Sequence, residues 1–342
     1  MPSVSTNYAI DTYTSALDLP DTVWESFAAF PRDSNVMYPH ALKARRDEQE
    51  GRLTKGLWIV CTSTNLLSSP SVDFVLSCTD GPLGSYPVFI FTPIPPSCLD
   101  SEYVHPRLEA LARALLAAIP SHRVFSVFAP DAITLMFTSL WTDLTGVLLD
   151  PEPRYYAAKI TYCTKRSFRP RQTSIFPDVE YTLRLAREDD ISGVAELCLG
   201  FARESEPFVL SEEGAQREAS TLVQNSNVWV HEIWRRGQQS EIASIVAVTR
   251  TSDTVAAITK VYTNLRWRKR GCAERLTREV TKHLLKTKDS VVLYVAHNNP
   301  AAAKVYNRVG FVGIGPESES VEGVDSWLEL GFDRKQVQLG HW

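Results

Sequence analysis

Two short stretches carry side chains whose types and spacing suit chemistry. The first is Thr263-Asn264-Leu265-Arg266-Trp267-Arg268-Lys269-Arg270-Gly271-Cys272-Ala273. Four cationic side chains precede a glycine, and apolar residues at Ala273, Leu276, Val280 and Leu284 then recur at helical spacing. This predicts a strand over 255–263, a basic loop and a helix. No Ser, Thr, Asp or Asn stands in the turn before Gly271, so the first helical amides lack a side-chain acceptor. An anion suits such an end. Backbone N–H groups at a helix N-terminus favour phosphate, glycine lets an oxygen approach the main chain, and the cations add long-range attraction. The alternative for the same residues is a solvated basic loop.

The second stretch runs from Ala296 to Phe311. Asn299 suits an N-cap, Pro300 the first helical position and Gly310 the left-handed residue past the helix end. Asn299 and Tyr306 lie two turns apart and are expected to share one face, with Ala302 and Ala303 leaving room between them. Tyr306 reads either as a core aromatic or as a residue with a proton to give.

In this order, separated by one helix and one strand, the two stretches resemble a known family. Arg268-x-x-Gly271-x-Ala273 is similar to the coenzyme A pyrophosphate motif (Q/R-x-x-G-x-G/A) of the GCN5-related N-acetyltransferases, the GNAT superfamily. Asn299-x-x-Ala302-x-x-Val305-Tyr306-x-x-x-Gly310-Phe311 resembles that family's next helix. The resemblance implies acetyl-CoA, or another short acyl-CoA, as co-substrate and no metal. Arg266, Arg268, Lys269 and Arg270, with the N–H groups of Gly271, Cys272 and Ala273, would receive the diphosphate. Main-chain groups of Val261, Tyr262 and Thr263 would hold the pantetheine arm like an added strand. Asn299 and Ala302 would border that arm, and Tyr306 would be the catalytic acid for the departing thiolate. A thiol near pKa ~8.5 and a phenol near ~10 make this transfer reasonable without a large shift. Arg275 and Arg278 lie one and two turns further on, within reach of a ribose phosphate or as helix-surface charges. Cys272 has no His beside it and reads as structural filler. Residues 255–263 hold no carboxylate to act as a base. His231 and Glu232 face opposite ways on the preceding strand, and His297 follows a strand end; none is assigned as base.

The elements that must position these residues follow from periodicity. Strands are expected at 57–62, 72–79, 86–92, 123–128 and 155–164, and helices at 35–52, 102–119 and 131–145. A similar order recurs later, with strands at 181–186, 228–234, 242–249, 255–263 and 324–332, a strand at Val291, and helices at 190–203, 211–223, after Ala273 and after Asn299. The fold class expected is α/β (α+β): two GNAT-like domains, each a mixed, mostly antiparallel sheet flanked by helices, with a splayed parallel strand pair. The divisions are an irregular lead-in (1–33), a degenerate domain without the CoA motif (34–165), a linker (166–177), a catalytic domain (178–333) and a C-terminal tail (334–342). In the first half, Pro93 to Asp100 stands where the basic loop would fall and carries no R-x-x-G-x-A.

Composition sets the outer bounds. The 342 residues are 44% hydrophobic, enough for two cores. A net charge of -4 gives no global reason to bind nucleic acid or an anionic membrane. Residues 266–278 alone invite a nucleic-acid patch reading. Six cysteines without a C-x-x-C pair read as reduced core residues. Residues 1–20 lack a signal-peptide pattern and no uncharged apolar run reaches ~20 residues, so a cytoplasmic location is expected. No G-x-x-x-x-G-K-[ST] occurs, which excludes a P-loop. The function expected is N-acetyl transfer to a small-molecule amine by direct attack in a ternary complex. The alternatives are acetylation of a protein lysine or N-terminus, and a non-catalytic acyl-CoA sensor.

Overall fold

Apolar periodicity becomes structure over most of the chain. The computed structural model describes residues 7–64, 70–81, 84–171, 179–235, 237–315 and 320–340. Its elements are β1 (Asn7–Tyr13), α1 (Asp21–Ala29), α2 (Tyr38–Gln49), β2 (Gly56–Thr64), β3 (Ser71–Gly81), the two-residue β4 (Gly84–Ser85), β5 (Val88–Phe91), α3 (Ser101–Ala118), β6 (Ser126–Pro130), α4 (Asp131–Thr145) and β7 (Leu149–Thr164). They continue with β8 (Glu180–Leu185), α5 (Ile191–Arg203), α6 (Glu212–Gln224), β9 (Val228–Trp234), β10 (Glu241–Thr251), β11 (Val255–Thr263), α7 (Cys272–Leu284), β12 (Ser290–Ala296), α8 (Pro300–Val309) and β13 (Ser326–Phe332). The mixed α/β class expected from the sequence is what the chain adopts.

Contacts divide the chain into two compact units, Met1–Ala157 with Ser326–Trp342, and Ala158–Asp325. These limits differ from the sequence-based ones at two strands. Residues 158–164, expected to close the first domain, pair antiparallel with β12 in the second unit, from Ser290↔Thr164 to Ala296↔Ala158. Residues 326–332, expected to close the second domain, pair with β6 in the first unit, from Trp327↔Pro130 to Gly331↔Ser126. The physical reason is in β12. It is a central strand with two edges to satisfy: β11 pairs with one over three residues, and 158–164 pair with the other along its whole length.

In the first unit the order is β1-β2-β3-β5-β6-β13-β7. The irregular lead-in expected over 1–33 is corrected at one element, since β1 runs antiparallel along β2, from Asn7↔Thr64 to Tyr13↔Trp58; the short helix α1 that follows is compatible with it. Every residue of β1 keeps some solvent exposure, so pairing rather than burial makes it a strand, and apolar periodicity does not reveal it. The expected tail is pinned as well, with Arg334 Nε 3.0 Å from Asp150 Oδ2 and Gln338 N donating to His122 O at 2.9 Å. Residues 1–6, 172–178 and 341–342, parts of the expected lead-in, linker, catalytic domain and tail, lie outside the described residues. Five cysteines are buried as expected, but Cys98 is exposed.

In the second unit the order is β7-β12-β11-β10-β9-β8. Alternation along β10 sends Ile245 and Ala247 to a cluster with Val194, Cys198 and Ala219 of α5 and α6, and Val246 and Val248 to a cluster with Leu276 and Val280 of α7 and Val309 of α8. Leu276, Val280 and Val309 are fully buried, each worth about 1.5–3 kcal/mol by removal from water. They hold α7 and α8 against the sheet. Among the described residues each unit shows a parallel pair joined over only two or three residues. β5 and β6 pair at Val88↔Val127 and Phe89↔Phe128. β11 and β12 pair at Val255↔Ser290, Ala256↔Val291 and Ala257↔Val292.

Candidate functional site

The divergence of β11 from β12 beyond Ala257 exposes a strand edge, and the polarity of that edge follows from register. Asn264 N donates to Ala243 O at 2.9 Å, and Ser244 Oγ donates to Tyr262 O at 2.8 Å, so residues 262 and 264 direct their peptide groups toward β10. Successive residues of a strand alternate, so the peptide groups of Val261 and Thr263 point the other way, toward the widening gap. This corrects the expectation for Tyr262, whose main chain serves β10. Its side chain is buried against Gly200 of α5, where an added Cβ would lie 2.6 Å from the ring.

The basic turn follows directly. Lys269 and Gly271 both have left-handed backbones, at φ 60 and φ 72. Left-handed residues in a turn swing successive N–H groups into one concavity, which suits an anion. Gly271 is the N-cap of α7 and no side chain caps that helix, as its sequence implied. Trp267 is buried beside Ile233, Ala243 and Cys272 and anchors the turn from below. Arg270 lies over its ring, with Cζ 5.0 Å from the centroid. Lys269 and Arg270 are exposed. The other two cations have protein partners: Arg266 meets Glu241 at 2.8 Å, and Arg268 donates through Nε to Thr263 O at 3.1 Å and through Nη2 to Glu204 Oε1 at 2.6 Å. Cys272 is buried and burial raises its thiol above the ordinary range, as suits a core residue rather than a nucleophile.

Neither Arg275 nor Arg278 is a surface charge. Both are buried. Arg275 donates through Nη2 to Arg270 O at 2.8 Å and through Nε to His231 Nε2 at 3.3 Å, and its guanidinium lies over Tyr181. It thereby ties the carbonyl of the turn to the sheet. Arg278 bonds Glu274 at 2.6 Å, Arg308 O at 3.0 Å and Arg169 O. It fastens the end of α8 and does not reach toward a ribose phosphate.

On α8, Asn299 accepts from Ala302 N at 3.0 Å, so its carbonyl oxygen is committed to capping. Ala302 and Ala303 pack against the apolar cluster that contains Tyr306. Tyr306 itself is 8% exposed, 5.9 Å centroid to centroid from Phe311, and desolvation raises its phenol well above 10. The expectation of an acid near its ordinary value is therefore corrected. Gly310, at φ 117, is where a Cβ would lie 2.2 Å from Ser167 O, so the loop after β7 closes on the end of α8.

The base candidates separate sharply. His231 is fully buried, and desolvation followed by the Arg275 charge lowers it to about 4, so it is neutral at pH 7 and packed inside. Glu232 is held by Arg184 at 2.8 Å, which also binds Asp190 at 2.6 Å. His297 is exposed. Glu204, just past the end of α5, is a further side chain at the turn. Its contacts to Arg268 and, at 3.3 Å, to Tyr262 Oη come from a residue 64 positions from the turn, and no local pattern signals them. Among the described residues no group of three or more His, Cys, Asp and Glu gathers as a metal site, and no helix is long and apolar enough to cross a membrane.

The first unit offers an internal contrast. Its helix after the parallel strand, α3, is capped by Asp100, which accepts from Tyr103 N at 2.8 Å. An aspartate at that end supplies the negative charge itself and repels another anion.

Comparison with known proteins bears on both the turn and the fold. Residues 235–319, which span the turn and α8, match the family described as FR47-like protein. No curated protein sequence matches the chain. Among solved structures, a tandem GNAT protein from the clavulanic acid biosynthesis pathway is similar at 12% identity, covering 95% of this chain and 98% of that one with a TM-score of 0.52. A Drosophila protein is similar at 12% identity over 95% and 99%, with a TM-score of 0.60. A GCN5-related N-acetyltransferase from Sphaerobacter thermophilus is similar at 14% identity over 94% of each chain, with a TM-score of 0.54. At these identities the likeness is one of fold.

Proposed function

We propose that this chain, a member of the GNAT superfamily by its fold and its FR47-like segment, transfers an acetyl group from acetyl-CoA to the amine of a small molecule. The observation that carries the reading is the parting of β11 and β12 after Ala257 beside a helix end that no side chain caps. A ligand with amides along a linear arm and a diphosphate at its end matches that pair of features. The arm adds to the strand edge at Val261 and Thr263, and the diphosphate meets the amides of 271–273 with Lys269 and Arg270 beside it. The residues fit the group: Gly271 is left-handed, and a Cβ there would stand 3.2 Å from Arg275 Nη1, in the turn itself.

In the transfer, the amine nitrogen attacks the thioester carbonyl, the C–S bond breaks, the nitrogen gives its extra proton to solvent, and the sulfur leaves as thiolate. Tyr306 is the residue proposed to meet that sulfur. Because burial raises the phenol further above a thiol, full proton transfer from it runs uphill by more than about 2 kcal/mol, the ordinary phenol–thiol difference. Its role is then a hydrogen bond to the developing thiolate, which takes its proton from water on release. One observation favours a second reading, an acyl-CoA-binding protein without turnover: Tyr306 sits in an apolar cluster with Val309 and Phe311. Calorimetry with acetyl-CoA and thiol release over an amine panel separate the two. Catalysis predicts that Tyr306→Phe lowers the rate about 10²-fold or more with unchanged acetyl-CoA affinity. Binding without turnover on any amine supports the sensor.

A further inference from the structure

The side chain at the centre of the turn is engaged with groups that the proposed ligand would need. Arg268 holds the Thr263 carbonyl through Nε at 3.1 Å, and that carbonyl is one of the two outward-facing positions on the β11 edge. The same guanidinium holds Glu204 through Nη2 at 2.6 Å and lies over the Tyr262 ring, with Cζ 5.1 Å from its centroid. Glu204 ends α5 and also accepts from Tyr262 Oη at 3.3 Å. One carboxylate thus stands a single tyrosine away from the strand edge that would hold the arm, on the face of β11 covered by α5.

We propose that Arg268 exchanges anions: Glu204 holds it in the arrangement seen here, the diphosphate of coenzyme A takes it on binding, and the carboxylate so released receives the ammonium group of the acceptor. This rests on the reading of the site as a coenzyme A site and adds the residue that selects a cationic acceptor. Three features support the exchange. Arg268 and Glu204 side chains are 39% and 48% exposed, so the pair is only weakly stabilising and open to competition. A diphosphate offers a guanidinium more charge and paired oxygens than one carboxylate oxygen does. Departure of Arg268 frees the Thr263 carbonyl in the same movement, so the arm and the diphosphate are admitted together. Glu204, left beside Tyr262 without its cation, then favours a positive partner. Because the two ligands relieve the same contact, each raises the affinity of the other by the same factor.

The test is calorimetry of the full chain with coenzyme A, for the unmodified protein and for Glu204→Gln. The expected result is binding two- to fivefold tighter in the variant, about 0.4–1 kcal/mol at 1.4 kcal/mol per tenfold, because Arg268 no longer has a competing carboxylate. Adding n-propylammonium chloride tightens coenzyme A binding to the unmodified protein and leaves Glu204→Gln unchanged, with tetramethylammonium chloride as the ionic-strength control. Glu204→Ala must shift affinity in the same direction as Glu204→Gln. Equal or weaker coenzyme A binding by the variants, or no response of the unmodified protein to propylammonium, overturns the exchange. Absence of coenzyme A binding to every form overturns the proposed function instead.

Discussion

The sharpest perturbation of the turn is Gly271→Ala. An L-residue held at φ 72 costs about 1–2 kcal/mol relative to glycine, and the new Cβ meets Arg275 Nη1 at 3.2 Å and Cζ at 3.8 Å. Arg275 cannot withdraw freely, since Arg270 O and His231 hold it from two sides. The strain must then appear in one of two places. If the variant keeps the left-handed turn, the whole cost shows as lost stability. If the turn relaxes, stability is recovered, and coenzyme A must restore the strained form, weakening binding by up to the same 1–2 kcal/mol, or about 5–30-fold. The methyl group also stands where a phosphate oxygen approaches the main chain, which adds to the loss of affinity. At least a fivefold weakening is expected in calorimetry with coenzyme A, read beside urea unfolding. Gly237→Ala is the control, since Gly237 lies in the same unit at φ 78 with nothing within 4 Å of its added Cβ. It should lose about 1 kcal/mol of stability and bind as before. Coenzyme A affinity unchanged in Gly271→Ala, with the full cost seen only in unfolding, would refute the placement of the diphosphate.

Two further outcomes follow from buried groups. His231 titrates near 6.5 unfolded and near 4 folded, so between those values the unfolded chain binds the extra proton and stability falls as pH drops, by up to about 3 kcal/mol. That stability is complete above pH 6.5. In His231→Gln, which keeps an acceptor for Arg275, the extra slope between pH 6.5 and 4 should vanish from urea unfolding; the same slope in both proteins would mean that other groups carry it. In the first unit, Asp100→Ala removes the α3 cap and should cost about 1 kcal/mol in thermal unfolding. It should leave coenzyme A affinity untouched, and a gain in coenzyme A sites would show that the first half had been blocked only by its own aspartate.

What the sequence disclosed was mostly what periodicity can encode. β9, β11 and α4 occupy the residues expected of them, because their apolar positions repeat at the period of the element and all face a core. Gly310 was legible as a left-handed position because few other residues serve just past a helix end, whereas the left-handed backbone at Gly271 shows only in the structure. β1 was not legible, since an edge strand with no fully buried residue has no apolar stripe to read. Strand ownership was not legible either: nothing local in 158–164 or 326–332 says which edge each will join. The charged residues were hardest. Arg275 and Arg278 look like surface positions on an amphipathic helix until their partners at His231, Arg270 O and Arg308 O are seen, and Arg268 has its carboxylate 64 residues away. Tyr306 was placed on the correct helix, but the depth of its burial depends on Phe311 and Val309 closing around it.

The exchange of strands has a consequence for biosynthesis. A nascent chain emerges from its N-terminus, yet the sheet of the first unit includes a strand at 326–332. That unit therefore remains unfinished, with an edge of β6 unpaired, until residues 326–332 have left the ribosome. Cutting the gene between 165 and 179 would give neither product its full set of strands: one piece would lack its last partner and the other would lack 158–164. The two halves are inherited, expressed and matured as one object, and a shortened clone meant to isolate the basic turn has to begin before 158.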